Sequence, residues 1–393
     1  MIAGIVCEYN PFHNGHLYHI NETRKKADYI VCAMSGNFVQ RGECAFLDKW
    51  TRAKLAVLNG ADVVIDLPVP WSCASAETFA RGSVGLLADF GVDMISFGSE
   101  CDDLSLLEKC AEFAVSRSAG TEIKKLMSEG YSYPLALCEA AGKYLSPKAG
   151  SVLLLPNSTL AVEYIKAVNT QNKKIALNAV KRIGSDHDSD IISGNTASAL
   201  KIRSLGLCDE TASLMPEQVF GTLCTTEKEG FLPCRLQNAE RAILSSLRDI
   251  SPEEYCLYVS DENGLAFRIH ESVRVSSALD ELYGNIKCKS YTLARIKREV
   301  LSLYLKIPKQ LSEGTPPYIR ILAASKIGLK LLSEAKETAT LPIITKHSET
   351  SELSQKGKAV YDIQCSSTDK FALMSKKIRP CGLEQINSMF IEK

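Results

Sequence analysis

Short apolar runs alternate with helical patterns through the first hundred residues of the chain. The apolar runs are rich in Val and Ile, as strands buried on both faces are, and lie at Ile2–Cys7, Tyr29–Met34, Ala61–Leu67 and Met94–Phe97. Helical patterns occupy His16–Lys26, Asp48–Asn59 and Ala74–Asp89. Strands that recur with a helix between them indicate βαβ units. Because such crossovers are right-handed, the pattern predicts a doubly wound α/β layer around a parallel sheet.

The strand–helix alternation continues weakly to about residue 210, where helical patterns take over. A helix is expected after Pro156, a strand at Ile175–Val180 and a helix near Ala197–Leu205. Four more helices are expected at Ala239–Leu247, Ala266–Leu282, Tyr291–Tyr304 and Tyr318–Leu332. Because 393 residues exceed what one compact core holds, we expect an α/β domain over residues 1–210 and a mostly helical domain over 211–393.

Composition narrows the class of protein. Hydrophobic residues make up 45% and charged residues 23% of the chain, as in ordinary globular proteins. Lys plus Arg and Asp plus Glu each total 46, so the net charge implies no partner, and a nucleic-acid site would need a local basic cluster. The 14 cysteines form no Cys-x-x-Cys pair, which disfavours structural zinc and favours free thiols in a reducing compartment.

The N-terminus and the apolar runs predict a cytoplasmic protein. Residues Met1–Val6 lack the basic region and the cleavage site of a signal peptide. No apolar run approaches the roughly 20 residues that span a bilayer, so we expect no membrane association. No feature of the sequence implies a protein partner.

Ligands of doubly wound sheets bind at the carboxyl ends of the strands. The loops expected at that edge are Glu8–His16, Ser35–Gly42, Pro68–Cys73 and Gly98–Glu100. The first of them leads into a helix and carries His13 and His16 on either side of Gly15. A helix N-terminus attracts phosphate, and glycine leaves room for its approach. Imidazole N–H groups can donate to phosphates as pyrophosphate leaves, so the two histidines are the candidate catalytic residues; a plain surface turn or a metal-site fragment is the alternative.

The residues around these histidines form a longer motif, Gly4-Ile5-Val6-Cys7-Glu8-Tyr9-Asn10-Pro11-Phe12-His13-Asn14-Gly15-His16. Companion stretches are Met34–Gly42, Leu155-Pro156-Asn157, Leu160–Tyr164 and Tyr318-Ile319-Arg320. The His-x-Gly-His core resembles the nucleotidyltransferase superfamily. The longer motif and its companions resemble one branch, the bacterial tRNA(Met) cytidine acetate ligases. The resemblance implies a Rossmann-like nucleotidyltransferase domain with a parallel sheet, followed by a mostly helical domain that binds tRNA.

The resemblance also implies a reaction in two steps. Acetate attacks the α-phosphate of ATP, which yields acetyl-adenylate and pyrophosphate without acetyl-coenzyme A. The exocyclic amine of the wobble cytidine in elongator tRNA(Met) then takes the acetyl group and becomes N4-acetylcytidine. The implied partners are therefore ATP, acetate and elongator tRNA(Met). Mg²⁺ is expected with ATP, because it neutralises the leaving pyrophosphate.

The expected ATP contacts combine the first loop with positions matched through the resemblance. They are Cys7, Glu8, Tyr9, Asn10, Pro11, Phe12, His13, Asn14, Gly15, His16, Leu17, Gly98, Asn157, Arg182, Ser198 and Arg203. Asn157 has the alternative of a helix N-cap. Leu200 and Lys201 depart from the family pattern, which leaves the register of Ser198 and Arg203 open. The nearby Asp186-His187-Asp188 is expected to be a polar turn rather than a metal ligand or a base.

The loop after the second predicted strand could close over a small substrate. Asn37, Gln40 and Arg41 are its candidate acetate contacts, and Arg41 could hold the carboxylate as a fork donor. An ordinary polar lid is the alternative. Lys49 and Arg52 on the next helix could add positive charge near the phosphates, although a solvated helix face is the simpler interpretation.

A local basic excess lies between residues 281 and 330, where ten Lys and Arg face three Glu, and Tyr291, Tyr304 and Tyr318 are interleaved. Basic residues with aromatics suit contact with an RNA backbone and stacking of its bases. The candidate tRNA contacts are Lys289, Arg295, Lys297, Arg298 and Arg320. A solvated helix face is the alternative.

Two other functions share parts of this pattern. A small-molecule adenylyl- or cytidylyltransferase would use the same histidine loop, although the long basic second half argues against it. A non-catalytic tRNA-binding protein would use the basic segment, but it would have no obvious use for His13 and His16.

Overall fold

A computed structural model of the chain describes residues 1–182, 194–260 and 264–392; the Asp186-His187-Asp188 turn lies outside these ranges. The strands are β1 (Ile2–Cys7), β2 (Tyr29–Ser35), β3 (Phe38–Val39), β4 (Glu43–Cys44), β5 (Val63–Leu67), β6 (Met94–Ser99), β7 (Ala176–Lys181), β8 (Ile319–Ala324), β9 (Ile343–Ile344) and β10 (Phe390–Ile391). The main sheet has the order β10-β8-β5-β2-β1-β6-β7, with β9 beside β8. Only β8 against β5 is antiparallel among the described pairs of this sheet, so the predicted parallel α/β layer is confirmed.

The helices of the first half are α1 (Asn14–Arg24), α2 (Lys49–Leu58), α3 (Val69–Ser72), α4 (Ala76–Phe90), α5 (Leu104–Ala114), α6 (Arg117–Ser128), α7 (Tyr133–Tyr144), α8 (Pro147–Leu153), α9 (Pro156–Asn169) and α10 (Ala199–Leu205). Those of the second half are α11 (Asp209–Ala212), α12 (Glu217–Lys228), α13 (Glu240–Arg248), α14 (Pro252–Tyr258), α15 (Leu265–Val275), α16 (Leu279–Ile286), α17 (Leu293–Leu305), α18 (Lys326–Thr338), α19 (Gln355–Phe371) and α20 (Leu383–Ile386). None of the helices in the described ranges has the length and apolar character needed to span a bilayer.

Side-chain alternation along the strands builds a core on each face of the sheet. In β2, Val31 and Ala33 point to one face, where α4, α5 and α9 pack. Ile30, Cys32 and Met34 point to the other face, against α1 and α2. A third apolar cluster lies inside the helices from α13 to α17. These helices confirm the mostly helical character predicted for that part of the chain.

Two predicted helices differ in the structure. The pattern Ala266–Leu282 is interrupted between α15 and α16 at Ser276, Ser277 and Ala278, because serines are weak helix formers and the carboxylate of Glu281 accepts from the backbone N–H of Ser277 instead. The helix predicted at Tyr318–Leu332 is wrong in its first half, which forms β8. All six residues of β8 are buried, and a short apolar run buried on both sides has no periodicity that separates strand from helix.

β8 brings the end of the chain back to the sheet of the first half. It pairs with β5, and β9 and β10 flank it, so residues from 319 onward share that sheet with the N-terminal strands. The division at residues 210 and 211 itself stays a prediction.

A buried ionic cluster joins α2, β5, β8 and α20. The Nζ of Lys49, which is 0% exposed, lies 2.5 Å from Oδ2 of Asp66 and 2.5 Å from Oε1 of Glu384. Arg320 lies 3.2 Å from the other oxygen of Glu384 and donates to the hydroxyl of Tyr361 at 2.9 Å. Burial alone would raise the pKa of Glu384, but the charges of Lys49 and Arg320 outweigh it and lower the pKa. Lys49 is therefore neither a solvated residue nor one that reaches a phosphate.

Arg52, also buried, holds two strand ends together. Its guanidinium donates to the backbone carbonyl of Glu8 at 2.6 Å, after β1, and to those of Ser35 at 3.0 Å and Gly36, after β2. Its Nε donates to the carbonyl of Leu47 at 2.9 Å. Carbonyls that leave a sheet edge lack ladder partners, and one guanidinium satisfies several of them here. Arg52 thus fixes the starts of the loops that follow β1 and β2.

We expect Lys49→Met to lower the free energy of unfolding by about 3–5 kcal/mol, because it leaves the Asp66 and Glu384 carboxylates buried without their shared cation. Urea denaturation measures the change. Lys54→Met, on the exposed side of the same helix, is the matched control and should unfold like the wild type. Equal stability of the Lys49 variant and the control would show that the cluster contributes nothing.

Candidate active site

A cavity of about 220 Å³ lies at the carboxyl ends of β1, β6 and β7. Its walls come from the loop after β1, the first turns of α1, the start of α9 and the segment that leads into α10. The described structure therefore brings segments from residues 6 to 203 to the sheet edge at which the strand pattern predicts a ligand. We refer to it as the active-site cavity.

The loop between β1 and α1 is held from several sides. Tyr9 has a left-handed backbone, with φ of 46°. The side-chain oxygen of Asn10 accepts from the backbone N–H of Phe46 at 2.6 Å, and its carbonyl accepts from Arg203 at 2.7 Å. The Asn14 amide donates to the carbonyls of Asn195 and Ser213 at 2.8 and 2.9 Å. Distant parts of the chain thus decide the shape of the loop.

The two histidines of the loop have the same hydrogen-bond arrangement. Nδ1 of His13 accepts from the backbone N–H of Gly15 at 3.1 Å, and Nδ1 of His16 accepts from the backbone N–H of His13 at 3.2 Å. A ring nitrogen that accepts carries no proton, so the hydrogen of each neutral ring is on Nε2. The rings are stacked, with centroids 3.6 Å apart.

Both rings are neutral near pH 7. Burial first, and then the positive charges of Arg182 and Arg203, lower the pKa of His13 to about 3. Burial, His13 and Arg182 lower the pKa of His16 well below its usual value. Two neutral rings with Nε2–H groups are hydrogen-bond donors, and neither has a free basic nitrogen. The arrangement suits the stabilisation of anionic oxygens.

His19 is a cavity residue that the sequence analysis did not assign. It lies one turn after His16 on α1 and lines the cavity. Its Nε2 is 3.0 Å from the hydroxyl of Ser96, which in turn is 2.7 Å from that of Thr23. Burial, followed by Arg182, lowers the pKa of His19 to about 4. The i, i+3 spacing from His16 was the signal that could have found it.

Arg182, Arg203 and Gly98, three of the residues expected to contact ATP, line the cavity. A Cβ built on Gly98 would lie 3.5 Å from Cγ of Arg182, so glycine leaves space in this part of the cavity. Burial lowers the pKa of both arginines, and Glu100 partly offsets this for Arg182. A guanidinium remains charged at neutral pH even so. Two cations therefore accompany the histidines.

Asn157 also lines the cavity but is not the N-cap of α9, which is Leu155. Its amide donates to Oε1 of Glu100 at 2.6 Å, and the other oxygen of Glu100 accepts from the backbone N–H and the hydroxyl of Ser158, each at 2.8 Å. Burial alone would raise the pKa of Glu100, but these hydrogen bonds outweigh the effect of burial, so the pKa is lowered. A carboxylate thus fixes the start of α9 beside the cavity.

Ser198 lines the cavity as the N-cap of α10, where its hydroxyl accepts from the N–H of Lys201 at 3.1 Å. Cys7, Glu8, Tyr9, Asn10 and Gly15 are cavity residues too, and burial raises the pKa of Glu8. Four of the residues expected to contact ATP are not part of the cavity lining: Pro11, Phe12, Asn14 and Leu17. Phe12 packs instead against Tyr9, with ring centroids 4.9 Å apart.

The three expected acetate contacts are separated by the structure. Gln40 and Arg41 line the cavity. Asn37 does not, and its assignment was wrong: it is buried, its oxygen accepts from the N–H of Lys49 at 2.9 Å, and its amide donates to Thr368 at 3.1 Å. Asn37 supports the loop that carries Gln40 and Arg41.

The expected tRNA contacts also divide. Lys289 is exposed, and Arg295 and Arg298 line a groove outside the active-site cavity. Lys297 pairs with Glu43 at 2.7 Å. The assignment of Arg320 was wrong, because its guanidinium lies in the buried ionic cluster and cannot reach an RNA at the surface.

The lowered pKa of the partly buried His19 predicts that the free energy of unfolding depends on pH. Its folded pKa of about 4 lies below the unfolded value of 6.5, so the unfolded chain binds more protons between them and stability falls as pH drops through this window. We expect His19→Asn to reduce the loss of stability between about pH 7 and about pH 5 by about 2 kcal/mol, measured by urea denaturation. Ser96→Ala keeps the imidazole and should retain the wild-type loss. An unchanged loss in His19→Asn would contradict the burial of an uncharged ring.

Comparison with known proteins supports the resemblance. The family described as HIGH Nucleotidyl Transferase matches residues 1–385. The tRNA(Met) cytidine acetate ligase of Thermosipho africanus is 38% identical over 356 residues, which cover 88% of this chain and 84% of that protein. The protein of the same name from Thermoanaerobacter sp. strain X514 is 35% identical and 99% of each chain is covered.

Solved structures agree over the whole length. The crystal structure of apo Thermotoga maritima TmcAL has a TM-score of 0.92 and 31% identity, and the form bound with alpha-thio ATP has a TM-score of 0.91 and 30% identity. Both matches cover 100% of each chain. The chain therefore belongs to the HIGH nucleotidyl transferases and, within them, to the family of the tRNA(Met) cytidine acetate ligases.

Proposed function

We propose that this chain is an ATP-dependent tRNA(Met) cytidine acetate ligase, which forms acetyl-adenylate and transfers the acetyl group to N4 of the wobble cytidine of elongator tRNA(Met). The observation that carries the proposal is the pair of neutral Nε2–H donors, His13 and His16, beside Arg182 and Arg203 in one cavity. The relatives named for this reaction and the neighbour bound with alpha-thio ATP support it.

In the first step the protein needs to position acetate and ATP and to stabilise negative charge on the phosphates. Acetate is already an anion at neutral pH, so its oxygen attacks the α-phosphorus without a general base, and the bond to pyrophosphate breaks. Negative charge grows on the phosphate oxygens as this happens. The Nε2–H groups of His13 and His16 and the guanidinium groups of Arg182 and Arg203 stabilise that charge in a site already shaped for it. Tight positioning of acetate adds to the rate.

Gln40 and Arg41 are our candidates for that positioning. Both lie on the loop after β2 and line the cavity that also contains the histidines. A guanidinium can bind a carboxylate through two parallel N–H groups. Asn37 holds the loop through Lys49 and Thr368 and so acts only as a support.

In the second step the exocyclic amine of the cytidine attacks the carbonyl carbon of acetyl-adenylate. The new C–N bond forms, the bond from that carbon to the phosphate oxygen breaks, AMP leaves with the electron pair, and the amine loses a proton. We expect Lys289, Arg295, Lys297 and Arg298 to contact the tRNA backbone, since phosphate contacts supply most of the affinity for nucleic acids. The reducing cytoplasm, suggested by the free cysteines, is the proposed location.

In the described ranges, no three His, Cys, Asp or Glu side chains gather as a possible metal cage. Mg²⁺ is commonly held by substrate phosphates and one or two carboxylates. We therefore expect it to arrive with ATP, and the roles of the protein residues above do not depend on it.

The proposed function is tested by transfer of radiolabelled acetate to unmodified elongator tRNA(Met), with ATP and Mg²⁺, with and without acetyl-coenzyme A. Label in the tRNA that requires ATP and not coenzyme A is the expected result. Pyrophosphate release that needs a small phosphorylated acceptor and ignores tRNA would instead assign the chain to the small-molecule transferases. RNA binding without ATP turnover would assign it to non-catalytic RNA-binding proteins.

His16→Ala should lower acetate-dependent exchange of pyrophosphate into ATP by two or more orders of magnitude, about 3 kcal/mol, as expected for a lost transition-state donor. Affinity for tRNA should stay within a few fold. His270→Ala on α15, outside the cavity, is the matched control and should exchange at the wild-type rate. Exchange at the wild-type rate by His16→Ala would show that His16 does not stabilise the phosphate oxygens.

A further inference from the structure

Two more cavities share lining residues with the active-site cavity. The second, of about 380 Å³, shares Gln40, Arg41 and Leu160 with the active-site cavity. We refer to it as the passage. The third, of about 760 Å³, shares Gln40, Ser132 and other residues with the passage and is here named the groove. Gln40 lines all three, so all three cavities border the loop that carries the proposed acetate contacts.

The loop that carries Gln40 packs against helix α17. The backbone carbonyl of Gln40 accepts from Nη1 of Arg298 at 3.4 Å. Gly42, on the same loop, has φ of 74°, and a Cβ there would lie 2.5 Å from the backbone nitrogen of Arg298. Helix α17, which carries the basic residues, is thus packed directly on the loop. A ligand held at α17 is therefore close to the opening of the active-site cavity.

The lining of the groove suits an uncharged polar ring better than a phosphate chain. Three acidic residues, Glu77, Glu163 and Glu299, balance Arg295, Arg298 and Lys309. Hydroxyl side chains are common in the lining and include those of Ser75, Thr78, Ser132, Thr159, Thr292 and Ser302. Hydroxyls both donate and accept, as the edge of a nucleobase and a ribose require. The volume lies within the range of about 300–1,000 Å³ typical of small-ligand sites.

Apolar and aromatic side chains surround the groove. Tyr133, the first residue of α7, is 43% exposed and lines it together with Tyr258 and Met127, which is 40% exposed. Leu135 and Leu154 line the passage and are 39% and 62% exposed. Exposed aromatic rings are the platforms on which unpaired bases stack, and a cluster of exposed apolar residues marks a binding surface.

We propose that the groove and the passage form the entry route for the acceptor base of the RNA, which stacks on Tyr133 and reaches the active-site cavity at Gln40 and Arg41. The proposal rests on the proposed function and adds the substrate route to it. Enzymes that act on one base must take it out of its stack, and bases of single-stranded loops leave the stack most easily. Arg295 and Arg298 flank the same groove and hold the adjoining phosphates.

Two variants test the route. Ser132→Trp fills the point shared by the passage and the groove, and the Ser132 hydroxyl does not cap α7, so its loss costs the fold little. Tyr133→Ala removes the stacking platform, whereas Tyr133→Phe keeps it. Tyr144→Ala is the matched control, because Tyr144 ends the same helix, is 48% exposed and does not line the groove.

Each variant is assayed for acetate-dependent exchange of pyrophosphate into ATP without tRNA, and for acetylation of tRNA. We expect wild-type exchange in all of them. Acetylation, as kcat/KM for tRNA, should fall at least tenfold in Ser132→Trp and Tyr133→Ala and stay at the wild-type value in Tyr133→Phe and Tyr144→Ala. Wild-type acetylation by Ser132→Trp, or loss of its exchange activity, would overturn the route. Absence of exchange in the wild type would contradict the proposed function instead.

Discussion

Two backbone hydrogen bonds decide the chemistry of the site. The N–H groups of Gly15 and His13 donate to Nδ1 of His13 and His16, and each bond leaves the hydrogen of its ring on Nε2. Burial and the neighbouring arginines keep both rings uncharged. The pair is therefore a donor of two hydrogen bonds, suited to phosphate oxygens, and does not compete with acetate for a proton. Asn10 and Asn14 hold this turn in place through hydrogen bonds to Phe46, Arg203, Asn195 and Ser213.

That support comes from segments far apart in the sequence. Arg52 gathers the carbonyls that end β1 and β2, and Arg203 reaches back to the carbonyl of Asn10. Asn37 connects the loop after β2 to Lys49, whose charge is balanced by Glu384 near the end of the chain. Buried charges of this kind are costly to break and so fix one arrangement of α2, β8 and α20. The C-terminal strands are for this reason part of the active-site framework.

The sequence allowed the parts governed by local rules to be predicted. Strand β1, the loop after it and the start of α1 follow from an apolar run, a glycine and two histidines, and the resemblance added Gly98, Asn157, Arg182 and Arg203. Prediction failed for residues that could be either exposed ligand contacts or buried structural partners, because only the packing of the fold decides between these roles. The sequence pattern did not show whether Lys49 and Arg320 face solvent or the interior. In the structure both are buried and pair with Glu384. β8 had the composition of a buried helix, and the role of Asn37 depended on Thr368, more than three hundred residues away.

The route to the surface could not be predicted at all, because it is lined by side chains of α4, α7, α9 and α17 that have no common motif. It also changes how the basic segment is understood. Arg295 and Arg298 line a groove in which acidic and basic side chains balance, so the described surface presents cations together with hydroxyls and tyrosines. In the proposed route, the cations bind the RNA backbone and the hydroxyls and tyrosines place the base.

Nitrogen-15 NMR of the histidine rings tests whether His13 and His16 are neutral Nε2–H donors. Long-range correlation spectra of the protein labelled at histidine, recorded between about pH 5.5 and about pH 8, distinguish the two neutral forms and the cation. We expect both residues to show a protonated Nε2 and an unprotonated Nδ1 across this range, with the assignment made by loss of signals in His13→Ala and His16→Ala. A protonated Nδ1, or titration of either ring near pH 6.5, would contradict it.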